Sequence, residues 1–251
     1  MTRVLVCTAR YWDAPFHSDL GVSWWPVIAG GGAVRFRRVE HWETIAAERL
    51  ALADLLERLT PEQWATASLC GGWTVREVVA HLVMPIQTSM PRGLIAFSGA
   101  LLAARGNFAR ANAALAAKGA KQSTTQLVAA LRSGAEHHFK PPGFGSEAPL
   151  TDVLVHGQDI RIPLGLVSDR PIDPWRVVLE FLVTRKARRG FAALPTDGLR
   201  IVATDLDWSH GSGDEVRGPA IALALAILGR NARIQDLTGP GTATLTARIP
   251  T

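Results

Sequence analysis

Apolar residues recur every three to four positions along most of the chain after residue 40, and this spacing predicts amphipathic helices. The clearest stripe predicts a helix over residues 40–59 and consists of Trp42, Ile45, Ala46, Leu50, Leu52, Leu55, Leu56 and Leu59. Capping-box pairs, with Gln or Glu three residues after a Thr or Ser, mark helix starts at Thr60, Thr74 and Ser123. Further helices are predicted over residues 75–83, 107–117, 123–139, 150–160 and 173–190.

The pattern changes near residue 195. The residue types predict strands over residues 199–204 and 243–248. Between them, the nearly all-apolar segment 219–230 predicts a buried helix. Residues 1–38 show no sustained period, and we expect a poorly structured N-terminal extension there. The chain is therefore predicted to be mainly α and α+β overall, with a helical bundle over residues 39–192 and a small α+β domain over residues 193–251.

Charge and hydropathy narrow the classes of partner. The 27 Lys and Arg residues outnumber the 22 Asp and Glu residues, but they are scattered along the chain, which argues against a nucleic-acid surface and suits small anionic substrates equally well. The apolar segments 94–104 and 220–228 are shorter than the roughly 18 residues that span a bilayer. Both are predicted to be buried helices, and no membrane association is expected.

Cysteine usage indicates the redox compartment. The only two cysteines, Cys7 and Cys70, form no C-x-x-C motif, so neither a disulfide framework nor a thiolate zinc site is predicted. A reducing cytoplasm is the expected location. The sequence leaves open whether the protein is a monomer or a homodimer.

The segment from Leu150 to Ile160 carries the candidate chemistry. On a helix, Asp152 and His156 lie four residues apart on one face, and Asp159 follows three residues later. Zinc and similar divalent ions accept carboxylate oxygen and imidazole nitrogen, so this spacing predicts part of a metal site. Asp159 is expected either to orient a ligand histidine or to be an ordinary surface acid paired with Arg161 or Arg76.

His81 is the candidate third ligand. It falls on the inward half of the helix that begins after Thr74, four residues before Pro85, which cannot donate a hydrogen bond to the carbonyl of His81. A single histidine on an apolar face is more often a packed core residue than a ligand. The pair of Asp152 and His156 is what favours the metal interpretation.

Three segments in order, Cys70 to Leu82, Val155 to Gly165 and Val216 to Arg230, resemble the maleylpyruvate isomerase family of mycothiol-dependent enzymes. The resemblance covers roughly residues 40 to 250. It implies a DinB-like four-helix bundle followed by a domain similar to sterol carrier proteins. It also implies a divalent metal such as Zn²⁺ and mycothiol as the thiol cosubstrate.

The resemblance assigns roles to individual residues. His81 corresponds to the first metal ligand, Asp152 to the acidic ligand and His156 to the last, while Arg230 corresponds to a catalytic arginine. The family usually has Glu where this chain has Asp152, one methylene shorter, which changes the reach of the carboxylate and bears on metal choice.

The expected function is a metal-dependent enzyme that uses a thiol such as mycothiol for isomerisation or S-transfer on a small electrophilic, carboxylate-bearing substrate. Three protein ligands leave one position open, as in catalytic zinc sites, and an open Zn²⁺ lowers the pKa of a bound thiol. Two alternatives stay open: a hydrolase that activates water at the same site, and a non-enzymatic protein that holds an apolar ligand in its C-terminal domain.

Overall fold

The computed structural model describes residues 16–18, 22–29, 33–38 and 40–250. Contacts divide the chain into two compact units, residues 1–40 and residues 41–251. The first contains strands β1 (Phe16–Ser18), β2 (Val22–Ala29) and β3 (Ala33–Arg38), paired as an antiparallel sheet in the order β1-β2-β3. These strands lie in the segment for which the sequence predicts little regular structure. The segment has no periodic apolar pattern that would predict strands.

The second unit is mostly helical and ends in a small sheet. Its elements in chain order are α1 (Trp42–Leu56), α2 (Pro61–Ala65), α3 (Val75–Gln87), α4 (Met90–Ala103), α5 (Phe108–Gly119), α6 (Thr124–Ser133), α7 (Glu147–Arg161), α8 (Pro174–Leu182), α9 (Arg185–Gly190), β4 (Leu199–Ala203), β5 (Ser209–Gly211), β6 (Asp214–Gly218), α10 (Ala220–Ile227), a 3₁₀ turn (Ile234–Asp236) and α11 (Thr242–Thr246). The predicted mainly α, α+β fold is confirmed. No described helix is both long and apolar enough to cross a membrane.

Helix α7 is the centre of the bundle. It packs against α1, α3 and α8, while α1 and α3 both pack on α6. Every residue of α7 except Asp152 is buried. A helix buried all round must satisfy its polar side chains internally, so the acids and the histidine of α7 need protein or ligand partners.

Helix α3 confirms the predicted capping box and inward face. The backbone N–H of Thr74 donates to Glu77 Oε2 at 2.7 Å, and the helix then runs past Pro85 to Gln87. Val75, Val78 and Val79 are fully buried. His81 follows Val78 by three residues and is thereby directed toward α7.

Helix α6 ends at Ser133, six residues before the predicted end at 139. The buried Arg49 of α1 donates to the carbonyls of Ala135 at 2.9 Å and His137 at 2.8 Å. These bonds pair two carbonyls of the segment that follows the helix, so Arg49 holds that segment against α1.

Helix α4 differs from the sequence prediction of a buried helix over residues 94–104. None of its residues is buried, and Leu94, Ile95 and Leu102 are 48%, 73% and 81% exposed. It packs mainly on α5. The apolar composition of this segment predicted a helix correctly, but the predicted burial is wrong. Helix α4 is exposed because it forms one wall of a cavity and is not part of the core.

The C-terminal sheet has the order β5-β4-β6, with β5 antiparallel and β6 parallel to β4. The prediction of a strand over residues 243–248 is wrong, since α11 occupies Thr242–Thr246 and only Leu245 of that helix is buried. Over so short a segment, the alternating Ala and Thr residues are compatible with the period of a strand and with that of a helix. Tertiary packing therefore decides which of the two structures forms. The buried α10 matches the predicted helix over 219–230.

One hydrophobic core extends from Ile45 to Leu245 and joins the bundle to the C-terminal sheet. The boundary that the sequence suggests near residue 192 stays a prediction. The end of α10 reaches the bundle, and this positions a residue of the site. The backbone N–H of Leu194 donates to the carbonyl of Ile227 at 2.7 Å. Arg230 lies two residues after the C-cap residue of α10.

Candidate metal centre

The structure brings His81, Asp152 and His156 together. One potential ligand atom from each residue lies within 4.8 Å of the others. His81 comes from α3 and the other two come from successive turns of α7, so the packing of these two helices creates the cluster. The three side chains line one cavity, to which His81 and Asp152 are partly exposed, while His156 is buried.

His81 is held in its neutral form. Burial, together with the nearby His156, lowers the pKa of His81 to about 3. Its Nδ1 atom is buried and has no hydrogen-bond partner among the described residues. A neutral imidazole with an unpaired nitrogen is the state in which histidine binds a metal ion.

Asp152 is the acid of the cluster. Burial raises its pKa, and the positive potential of His156, Arg230 and Arg49 opposes this only in part. Within residues 40–250 its carboxylate makes no hydrogen bond or ion pair with another side chain. The carboxylate lines the cavity without a side-chain hydrogen-bond partner, so it is available to bind a cation.

Asp159 links the cluster to Arg230. Its carboxylate is completely buried and lies 2.9 Å from His156 Nδ1. Arg230 donates to both of its oxygens, from Nε at 3.1 Å and from Nη2 at 2.8 Å. Two alternatives were predicted for Asp159, and the structure shows the contact with a candidate ligand histidine. Neither Arg161 nor Arg76 is the partner of Asp159.

The charges of this network are mutually stabilising. Burial disfavours the charged form of Asp159, but hydrogen bonds from His156 and Arg230 outweigh it, and its pKa is lowered. Burial likewise acts to lower the pKa of Arg230, and the hydrogen bonds and charge of Asp159 raise it instead. In the His156 tautomer that donates from Nδ1 to the ionised Asp159, Nε2 keeps the lone pair that a ligand needs.

Trp73 and Cys70 complete the inner wall. The Trp73 ring packs on both imidazoles, with centroids 5.3 Å from His81 and 6.3 Å from His156. Burial raises the pKa of the Cys70 thiol to about 11, although Arg230 acts in the opposite direction. At neutral pH Cys70 is a protonated thiol and a poor nucleophile, so this side chain does not supply a thiolate to the cavity.

The donor set fits one divalent ion. Two imidazoles and one carboxylate are a ligand set found in catalytic zinc sites, and among the described residues no fourth His, Cys, Asp or Glu joins the group whose ligand atoms lie within 4.8 Å of one another. The unpaired nitrogen of His81, the carboxylate of Asp152 without a side-chain hydrogen bond and the imidazole of His156 beside Asp159 are compatible with binding of one cation.

Fold and side-chain cluster together define a helical-bundle protein with a candidate metal centre. Residues 45–161 match the family model of the mycothiol maleylpyruvate isomerase N-terminal domain, so this part of the chain is similar to that family, as the sequence suggested. The match spans α1 to α7 and includes all three cluster residues. No curated protein matches the sequence.

Solved structures with a similar chain path include the crystal structure of a mycothiol-dependent maleylpyruvate isomerase, with 18% identity, a TM-score of 0.49 and coverage of 81% of this chain and 96% of that chain. A histidine-to-alanine mutant of the mycothiol-dependent maleylpyruvate isomerase gives 17% identity with the same TM-score and coverages.

Proposed function

We propose that the protein is a divalent-metal-dependent enzyme that uses a low-molecular-weight thiol such as mycothiol for isomerisation or S-transfer on a small electrophile that carries a carboxylate. The family of residues 45–161 supports a thiol-dependent enzyme. The observation that carries the proposal is the meeting of His81, Asp152 and His156 in one cavity that Arg230 also lines.

His81, Asp152 and His156 would hold the ion, with Zn²⁺ as the first candidate. When bound, the ion supplies Lewis acidity that lowers the pKa of a thiol entering the cavity. Cys70 is not part of the cluster of His81, Asp152 and His156, and burial raises the pKa of its thiol to about 11. An external thiol is therefore part of the proposal.

Arg230 would bind the carboxylate of the substrate or the negative charge that develops during the reaction. Its Nε and Nη2 donate to Asp159, and its Nη1 donates to the carbonyl of Leu228 at 2.9 Å. A guanidinium has five N–H groups, so two remain for an anion in the cavity. Asp159 fixes the plane of the guanidinium and leaves those two donors in a defined position.

An activity assay with the thiol and the metal varied independently tests the proposal. We expect isomerisation of maleylpyruvate, or conjugation of a small electrophile, to need both mycothiol and Zn²⁺ in the metal-stripped protein. Arg230→Lys should lower kcat/KM by about 10²- to 10³-fold, as expected for loss of an oriented charged donor.

The control for folding is Arg217→Lys, which alters an exposed arginine of β6 that pairs with Glu215 and does not line the cavity. This variant should keep full activity. Turnover that needs the metal but is indifferent to the thiol would instead identify a water-activating hydrolase, and turnover that needs neither would overturn the proposal.

A further inference from the structure

The cavity is larger than a small polar substrate requires. Its volume is about 1380 Å³, whereas pockets for a single drug-sized ligand measure about 300–1,000 Å³. It begins at the cluster of His81, Asp152 and His156 and continues between α3, α4 and α5. The space can hold the thiol and a second molecule of substantial size together.

The outer wall of the cavity is apolar. Met84 of α3, Leu94 and Phe97 of α4 and Phe108 of α5 line it, and the rings of Phe97 and Phe108 pack with centroids 5.0 Å apart. Leu94 and Phe108 are 48% and 50% exposed although they flank the candidate centre. Apolar side chains left open to the cavity of a candidate metal site are typical of a ligand-binding surface.

The charged residues of the lining are almost all basic. Among the described residues, Asp152 is the one acid that lines the cavity, against six Arg and Lys residues. Arg49 and Arg230 are committed to carbonyls and to Asp159. Arg110 and Lys118 of α5 line the wall that also carries Phe108, and neither forms an ion pair with another residue between 40 and 250.

We propose that the electrophilic substrate is an amphipathic carboxylate with an extended hydrocarbon or aromatic body. This inference rests on the proposed function and names the substrate class of the same site. The apolar body lies along α3, α4 and α5, and the carboxylate is attracted by the basic lining. Of residues 193–250, only Leu228 and Arg230 line the cavity. This apolar site therefore belongs to the bundle and not to the C-terminal segment, where the sequence had left a site for an apolar ligand open.

Calorimetric titration with straight-chain carboxylates from butanoate to dodecanoate tests this inference without turnover. We expect the dissociation constant to fall about fourfold for each added methylene over part of the series, since burial of a methylene contributes about 0.8 kcal/mol. Decanol, which lacks the charge, should bind about tenfold more weakly than decanoate if one basic residue pairs with the carboxylate.

Two leucines of α4 provide a matched pair of variants. Leu94 lines the cavity and Leu102 does not, while both are exposed on the same helix. Leu94→Ala should weaken decanoate binding about tenfold, and Leu102→Ala should leave it unchanged. Affinity independent of chain length, or equal effects of the two substitutions, would overturn the inference.

Titration of Asp152→Ala separates this inference from the proposed function. The variant removes a candidate ligand of the ion but leaves the wall of α3, α4 and α5 intact, so decanoate should still bind. Decanoate binding by a wild-type protein that fails to bind Zn²⁺ would overturn the proposed function alone. Zn²⁺ binding and thiol-dependent turnover without chain-length dependence would overturn the substrate class alone.

Discussion

Replacement of Asp159 by alanine should lower the free energy of unfolding by about 3–5 kcal/mol, because it leaves the charge of Arg230 buried and unpaired. Asp159 is completely buried, and the Arg230 side chain is only 15% exposed, so water cannot take over the lost hydrogen bonds fully. The same substitution frees Nδ1 of His156. Loss of such an orienting partner costs about 10- to 100-fold in metal affinity.

Urea unfolding of the wild type and Asp159→Ala, with and without Zn²⁺, measures both effects. Asp54→Ala is the matched control, since it breaks an ion pair with Arg132 in which both side chains are exposed, and it should cost less than about 1 kcal/mol. A loss as small as that of the control would contradict the role assigned to Asp159.

The pH dependence of this difference has a defined sign. The pKa of Asp159 is lowered in the folded protein. Its contribution to stability is therefore present above the ordinary pKa of an aspartate and is lost as the pH falls through the lower folded value. The gap between wild type and Asp159→Ala should narrow in acid.

Replacement of Asp152 by alanine should weaken Zn²⁺ binding by more than about 100-fold, a larger effect than loss of an outer partner. The change removes the only acid of the cluster and leaves two imidazoles, which bind zinc weakly and do not offset its charge. Asp152→Glu should keep or raise the affinity, because the longer side chain supplies the same carboxylate oxygen and corresponds to the Glu that the resemblance implies at this position.

Zinc titration into the metal-free wild type, Asp152→Ala and Asp152→Glu compares the three affinities. Asp152 forms no hydrogen bond that alanine would break within residues 40–250, and its pKa is raised by burial. Loss of affinity should therefore come without loss of stability in the metal-free protein. Equal zinc binding by wild type and Asp152→Ala would mean that Asp152 is not a ligand.

Much of the bundle is predictable from local signals. Each capping box predicted at Thr60, Thr74 and Ser123 is present at the start of its helix. The i, i+4 spacing of Asp152 and His156 and the inward position of His81 follow from helical geometry alone. The convergence of α3 on α7 could be proposed only from these residue types together with the family resemblance.

Long-range partners were not predictable in the same way. Asp159 and Arg230 are 71 residues apart, and no sequence period connects them, so their pairing depends on where the end of α10 meets α7. The exposure of α4 is a second example, since its apolar composition is that of a core helix while its position makes it a cavity wall. The helix at Thr242–Thr246 shows that a five-residue segment takes its structure from packing, here around the buried Leu245.

Crystals soaked in Zn²⁺, with anomalous diffraction collected at the zinc edge, would locate the bound ion. We expect one strong peak between α3 and α7, at about 2.0–2.2 Å from a nitrogen of His81, a nitrogen of His156 and a carboxylate oxygen of Asp152. Zinc bound elsewhere on the protein, with no peak among these three side chains, would contradict this expectation.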